Sequence, residues 1–196
     1  PNVVNEALYR DEVKNRRKYR QDILDKWNLS SKYSPILFTA LRLEPIKGVK
    51  ELVDCLVTMN NAEITLLIAG EGSMREELER KIQKGSCFQN IRLLGHLKEE
   101  DILDLLSVAD AFILPSLGDP YPLATIEAAF AGLPLLFSNR VGSYPEILIN
   151  GENGFLFDPQ NPNSIRECII NFTNLGSDKW NQMGQRSLDL AEERFN

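Results

Sequence analysis

The stretch Ile64-Thr65-Leu66-Leu67-Ile68-Ala69-Gly70-Glu71-Gly72 decides the fold. A nearly continuous apolar run of this kind suits a central parallel strand covered on both faces. Ser73, with Glu76 three residues on, has the form of a capping box, which predicts a helix running to about residue 84. The same alternation extends in both directions. Upstream, Pro35 to Ala40 reads as a short apolar strand, followed by a helix from Val49 to Met59 with an apolar stripe. Downstream come a strand from Asn90 to Leu94, a helix from Glu99 to Ser107, and a strand from Ala111 to Leu114 ended by Pro115. A helix from Leu123 to Phe130, stopped by Gly132 and Pro134, leads to the strand Leu135-Leu136-Phe137. Phe155-Leu156-Phe157 is the last strand, and from about Ser164 two helices are broken at Gly176. Gly151-Glu152-Asn153-Gly154 is the first hairpin signal. Strands separated by helices imply right-handed crossovers. The expected fold is α/β: one three-layer Rossmann-like domain over residues 1–196, with a parallel sheet of about six strands.

At the start, residues 9–27 carry Val13, Tyr19, Ile23, Leu24 and Trp27 at roughly helical spacing, so one amphipathic helix is expected at the sheet's edge. Six basic residues between Arg10 and Arg20 face only Asp11 and Glu12. They read either as a solvated face or as a patch for a membrane surface or a phosphorylated partner.

Composition narrows the function classes. The 196 residues suffice for one domain with its own core. With 22 basic and 28 acidic residues the formal charge is -6, which argues against a nucleic-acid partner without excluding a local anion site. Cys55, Cys87 and Cys168 form no CxxC pair, so neither a disulfide framework nor a zinc site is indicated. No apolar run reaches the roughly 18 residues of a membrane span, and no signal peptide is expected.

Doubly wound sheets bind ligands at the carboxyl ends of their strands, so the residues after each strand matter most. After the first come Arg42 and Lys47-Gly48, just ahead of a helix. A cation pair at a helix N-terminus suits an anion such as a phosphate, or is simply a pair of solvated charges at a turn. After the second, Gly70-Glu71-Gly72 lacks the third glycine of a dinucleotide fingerprint, and no GxxxxGK[ST] loop is present. After the third lies His96, the single histidine, which alone forms no metal cluster. After the fourth, Pro115-Ser116-Leu117-Gly118-Asp119-Pro120-Tyr121-Pro122 presents an acid on a proline-stiffened loop. Glu127 then sits in an otherwise apolar helix, where a carboxylate needs partners. No Ser-His-acid arrangement surrounds Ser116, and no DxD motif calls for a divalent cation. After the fifth, Val141-Gly142-Ser143-Tyr144-Pro145-Glu146 is a glycine-opened turn into a short helix.

Taken in order, these strand ends resemble the C-terminal, donor-binding half of retaining, two-Rossmann-domain (GT-B type) glycosyltransferases of family 4, glycosyl transferases group 1. Pro1-Asn2-Val3-Val4-Asn5 is similar to the segment entering that half, and Arg42-Leu43-Glu44-Pro45-Ile46-Lys47-Gly48 to its phosphate-binding stretch. Ile68-Ala69-Gly70-Glu71-Gly72, Leu94-Gly95-His96-Leu97 and Ala109 to Ser116 resemble its next strand ends. Asp119 through Glu127 resembles its two-acid motif, with seven residues between the acids. Val141 to Glu146 and Asn153-Gly154-Phe155-Leu156 complete the series.

The resemblance implies transfer of a hexosyl group, with retention, from a UDP- or GDP-linked nucleotide-sugar to a saccharide or lipid-linked acceptor. Arg42 and Lys47 would hold the diphosphate and Asp119 the donor-sugar hydroxyls, these three forming the catalytic set. Glu127 would bind the ribose. Gly70 and the main chain near His96 and Leu97 would meet the base. Tyr121, Pro122, Leu123 and Ala124 would line the sugar–phosphate region, the last two through their amides. No metal and no cofactor would be needed. The acceptor would be bound by an N-terminal domain absent from this chain, so the chain alone would be inactive, and the whole protein would work in the cytoplasm, at the cytoplasmic face of the membrane. A non-catalytic nucleotide-binding module, or half of a nucleotide-sugar epimerase, are the alternatives. The sequence departs from the family pattern where Asp119 replaces the usual glutamate, Leu41 a common glycine, and Ser143 the second glycine of a paired-glycine turn.

Overall fold

The structure, a computed structural model, describes residues 5–29, 35–59, 63–85 and 90–195. The motif residues Pro1 to Val4 and Cys87 lie outside the described residues. Strands β1 (Ile36–Ala40), β2 (Thr65–Ala69), β3 (Ile91–Gly95), β4 (Ala111–Leu114), β5 (Leu135–Ser138) and β6 (Gly154–Phe157) form one sheet in the order β3-β2-β1-β4-β5-β6. Every pairing is parallel, with Leu37 of β1 set between Leu66 of β2 and Ala111 of β4. The strand order reverses at β1/β4, and at such a point the two flanking connections leave toward opposite faces and open a crevice.

Successive side chains of each strand enter opposite core layers, as the pleat requires. One layer holds Phe38, Phe112 and Phe137, packed edge to face at 6.0 and 6.5 Å. Helices α5 (Glu99–Val108) and α6 (Leu123–Phe130) cover it. The other layer holds Leu37, Leu66, Ile113 and Leu136. It is covered by α3 (Val49–Met59), α4 (Arg75–Lys84) and α8 (Pro162–Thr173). Between β5 and β6 lies the short α7 (Tyr144–Ile147), and α9 (Ser177–Phe195) follows Gly176. Trp180 of α9 stacks on Phe172 at 4.9 Å, and its indole N–H donates to the Phe172 carbonyl.

The structure differs from the sequence reading at three places. The amphipathic N-terminal stretch is not one helix. A π turn (Leu8–Glu12), α1 (Val13–Arg16), a 3-10 turn (Arg17–Tyr19) and α2 (Arg20–Lys26) follow one another. It joins the layer containing α5 and α6 through Tyr9, Val13, Ile23 and Leu24. Tyr19, the last residue of the 3-10 turn, stays outside that packing and is 63% exposed.

The second difference is the capping box. Helix α4 begins at Arg75 with no side-chain cap, and Ser73 instead gives its amide (3.1 Å) and hydroxyl (2.6 Å) to the Glu44 carboxylate. A charged acceptor taking two bonds outcompetes a local cap.

The third is the hairpin signal. Residues 149–154 close on themselves, with the Gly151 amide on the Gly154 carbonyl at 2.8 Å. Because α7 carries the chain back first, β6 enters parallel to β5. Asn153 is fully buried there and ties the end of α7 to α9 through the Ile147 carbonyl and the Ser187 hydroxyl.

Candidate active site

The reversal point is built mostly from main chain. Beyond β1, the Leu41 amide bonds the Ala69 carbonyl at 3.0 Å and the Leu43 amide the Glu71 carbonyl at 2.9 Å. The ladder's two-residue period then buries Leu43 and leaves Arg42 exposed. Arg42, Gly70, His96 and Leu97 line one open recess of about 540 Å³ over the ends of β1, β2 and β3. Glu44 fixes the rim through Ser73, and those bonds hold its carboxyl below the ordinary glutamate range.

A 3-10 turn (Pro45–Lys47) and Gly48, at φ +65°, lead into α3. A Cβ on Gly48 would lie 2.0 Å from the Pro115 carbonyl oxygen, so only glycine allows the two connections to touch there. Beside this contact the Leu117 amide bonds the Ile46 carbonyl at 2.9 Å. On its far side the 115–122 loop is held by the connection after β5. The Gly142 amide bonds the Asp119 carbonyl at 2.8 Å, and a Cβ on Gly142 would meet the Pro120 oxygen at 2.1 Å. Three connections are thus joined backbone to backbone.

This framework brings Lys47 and Asp119 together, and the Lys47 ammonium ion-pairs with the Asp119 carboxylate. Their side chains are 17% and 11% exposed, so the pair is largely withdrawn from water. Pro122 precedes α6 without offering a side-chain cap to the first-turn amides of Leu123 and Ala124. Tyr121 is exposed and donates its hydroxyl to Glu146 at 3.0 Å. Glu127, one turn into α6, is half-buried. Burial pushes its carboxyl above the ordinary glutamate range; a hydrogen bond from the Tyr9 phenol works against that rise, and Glu99 adds to it.

Tyr9 is the residue that sequence reasoning missed. It is buried against the α6 layer, and burial, then the Glu127 charge, pushes its own phenol well above the usual tyrosine range. Its signal was position: Tyr9 and Val13, four apart, begin the buried stripe of the N-terminal stretch. Among the described residues no group of three or more His, Cys, Asp or Glu side chains is arranged to hold a metal ion. Cys55 and Cys168 are buried free thiols, pushed by burial to about 11 and about 12.

The family model described as "Glycosyl transferases group 1" matches residues 20–188. Glycogen synthase of Mycobacterium tuberculosis (strain H37Rv) is 38% identical over 130 residues, which is 65% of this chain and 31% of that protein. The crystal structure of a glycosyltransferase from Rickettsia africae superposes with a TM-score of 0.85 at 20% identity, over 100% of this chain and 52% of that one. Anabaena Alr3699/HepE, solved in complex with UDP and glucose, gives 0.79 at 22%, again over 100% and 52%. The chain therefore spans about half the length of those solved structures and under a third of that curated relative. At such identities the structural likeness establishes the fold.

Proposed function

The chain belongs to the glycosyl transferases group 1 family, and on that premise we propose that it is the donor half of a retaining hexosyltransferase that uses a nucleotide-sugar. The observation that carries this reading is the convergence at β1/β4: Lys47 and Asp119 lie on connections locked to one another, and the second of these leads directly into the uncapped start of α6, the helix that carries Glu127. Arg42 and Lys47 take the diphosphate, whose negative charge grows as the glycosidic bond to it breaks. Preorganised cations are worth most for such charge in a half-buried site, because they need no reorientation during the reaction. Glu127 accepts the ribose hydroxyls, Asp119 those of the donor sugar, and the recess formed by Gly70, His96 and Leu97 takes the base. The α6 amides of Leu123 and Ala124 meet the sugar–phosphate junction beside Tyr121 and Pro122. The relative solved with UDP and glucose supports a uridine nucleotide as the first ligand to try.

In this reading the protein side chains replace a metal ion. An N-terminal domain of similar size supplies the saccharide or lipid-linked acceptor, so this chain alone binds donor without turning it over. The complete enzyme works at the cytoplasmic face of a membrane; among the described residues no helix is long and apolar enough to cross one. Isothermal titration of UDP and GDP tests the reading. One of them should bind, with the same affinity in EDTA as in magnesium to within about threefold. A tenfold loss in EDTA would reject metal independence, and absence of binding by these nucleotides and by their sugar conjugates would reject the donor site.

A further inference from the structure

We propose that Asp119 is a built-in competitor of the diphosphate for the Lys47 ammonium, and that this competition makes the site prefer an intact nucleotide-sugar to the nucleoside diphosphate left after transfer. The inference rests on the donor-site reading above.

The pair is not an incidental surface contact. Both side chains are mostly out of water, and both connections are positioned by main-chain atoms. Asp119 itself is gripped on both sides of its peptide, its amide directed to the Arg140 carbonyl at 3.4 Å and its carbonyl taken by Gly142. The aspartate carboxylate, on a single methylene, therefore stays beside the Lys47 ammonium and has little room to retreat when a second anion arrives. Lysine has three N–H donors, so an approaching phosphate oxygen can reach the ammonium. It then faces a carboxylate a few ångströms away, where like charges repel strongly because solvent screening is weak.

The two ligands differ in what they return to Asp119. In an intact donor, hydroxyls of the sugar lie next to the distal phosphate and donate to the carboxylate, replacing the hydrogen bond that Lys47 gives up. A free nucleoside diphosphate has no such hydroxyls and carries one more charge on its terminal phosphate. It leaves Asp119 unpaired and meets it with greater repulsion. After transfer, re-formation of the Lys47–Asp119 pair assists departure of the diphosphate. No bond is made or broken in this exchange; only the ammonium's partner changes.

The test uses the 196-residue chain, titrated calorimetrically with UDP and UDP-glucose, and with GDP and GDP-mannose. Asp119→Asn is close to isosteric and keeps the backbone contacts. It should tighten the nucleoside diphosphate about tenfold while leaving the sugar conjugate no tighter, reversing the preference. In a Lys47→Ala background the same change should tighten the diphosphate by less than threefold, because the contested ammonium is gone. If the unaltered chain binds a nucleoside diphosphate and Asp119→Asn leaves that affinity unchanged, the competition does not exist, although the donor site stands. Equal tightening of both ligands would likewise overturn it, as a simple charge effect. If the unaltered chain binds none of the four nucleotides, the donor-site reading fails first and takes the competition with it.

Discussion

The two ends of the sheet treat their acids differently. At the amino end, Asp110 accepts from the Ile36 amide at 2.8 Å and from Arg20 at 3.2 Å. Midway along α5, which runs from the carboxyl end of β3 back to the amino end of β4, Asp104 is shared between Arg16 and Lys26, and Lys26 also reaches Asp101 at 3.0 Å. At the carboxyl end, Asp119 has one cation, Glu127 faces a phenol, and Arg42 is exposed. Acids with two partners each brace the fold. Groups with one partner or none retain bonding capacity, and that capacity lies where the connections converge. The contrast separates charges that hold the chain together from charges that await a ligand.

The largest effect should come from breaking the bracing acids. Asp104→Ala removes the buried carboxylate that Arg16 and Lys26 share and should cost about 1.5–3 kcal/mol in urea unfolding, with nucleotide binding unchanged. Asp119→Asn keeps an amide oxygen that can accept from Lys47 and should cost less. Acid should sharpen the difference. Burial acts upward on the Asp104 carboxyl, but the Lys26 and Arg16 hydrogen bonds hold it below the ordinary aspartate range. Its contribution is therefore full above the unfolded-state value and is lost as pH falls below it. Asp104→Asn should remove that part of the acid sensitivity.

At the open end, Arg42→Ala and Lys47→Ala should each weaken a nucleoside diphosphate about ten- to a hundredfold. The loss should shrink at high salt, and thermal unfolding should hardly move in Arg42→Ala. Unchanged binding in both variants would dissolve the contrast between the two ends. Glu127→Gln should weaken the nucleotide about tenfold, with little dependence on salt. Because the Glu127 carboxyl is raised, nucleotide affinity should begin to fall on acidification above the ordinary glutamate value, and Glu127→Gln should flatten that limb. The smallest effect belongs to Tyr9→Phe. It should weaken the nucleotide about threefold and move the acid limb to higher pH, since the phenol holds the carboxyl's proton affinity down. A limb that stays in place would mean that Tyr9 does not set Glu127.

The sheet was legible because Ile64–Ala69 and Ala111–Leu114 are covered on both faces, and such strands need only be apolar. Arg42 and Asp119 were legible as charges beside strand ends, and Glu127 as an acid in an otherwise apolar helix. Three features were not. The Glu44–Ser73 bond joins residues 29 apart in the chain, and no local pattern foretells which acceptor Ser73 will choose. The Lys47–Asp119 pair depends on how closely two backbones approach at Gly48, a distance set by tertiary packing. Tyr9 lies so near the start of an irregular helical stretch that its periodicity gives few neighbours to count. Composition placed the charges near the crevice, but only the fold shows which of them are already engaged.

The contacts joining the three connections have a further consequence. Gly48 against Pro115, Leu117 on Ile46 and Gly142 on Asp119 involve main-chain atoms, apart from the absence of two side chains. Such contacts are indifferent to most substitutions at Ile46, Gly118 or Pro120, but they count residues. Removing one residue between Pro115 and Asp119 would slide the acid past the lysine, and adding one between Asp119 and Glu127 would rotate α6 by about 100° or unseat its first turn. Chain length between these points is therefore the quantity under constraint, and homologous loops should diverge in letters long before they diverge in number.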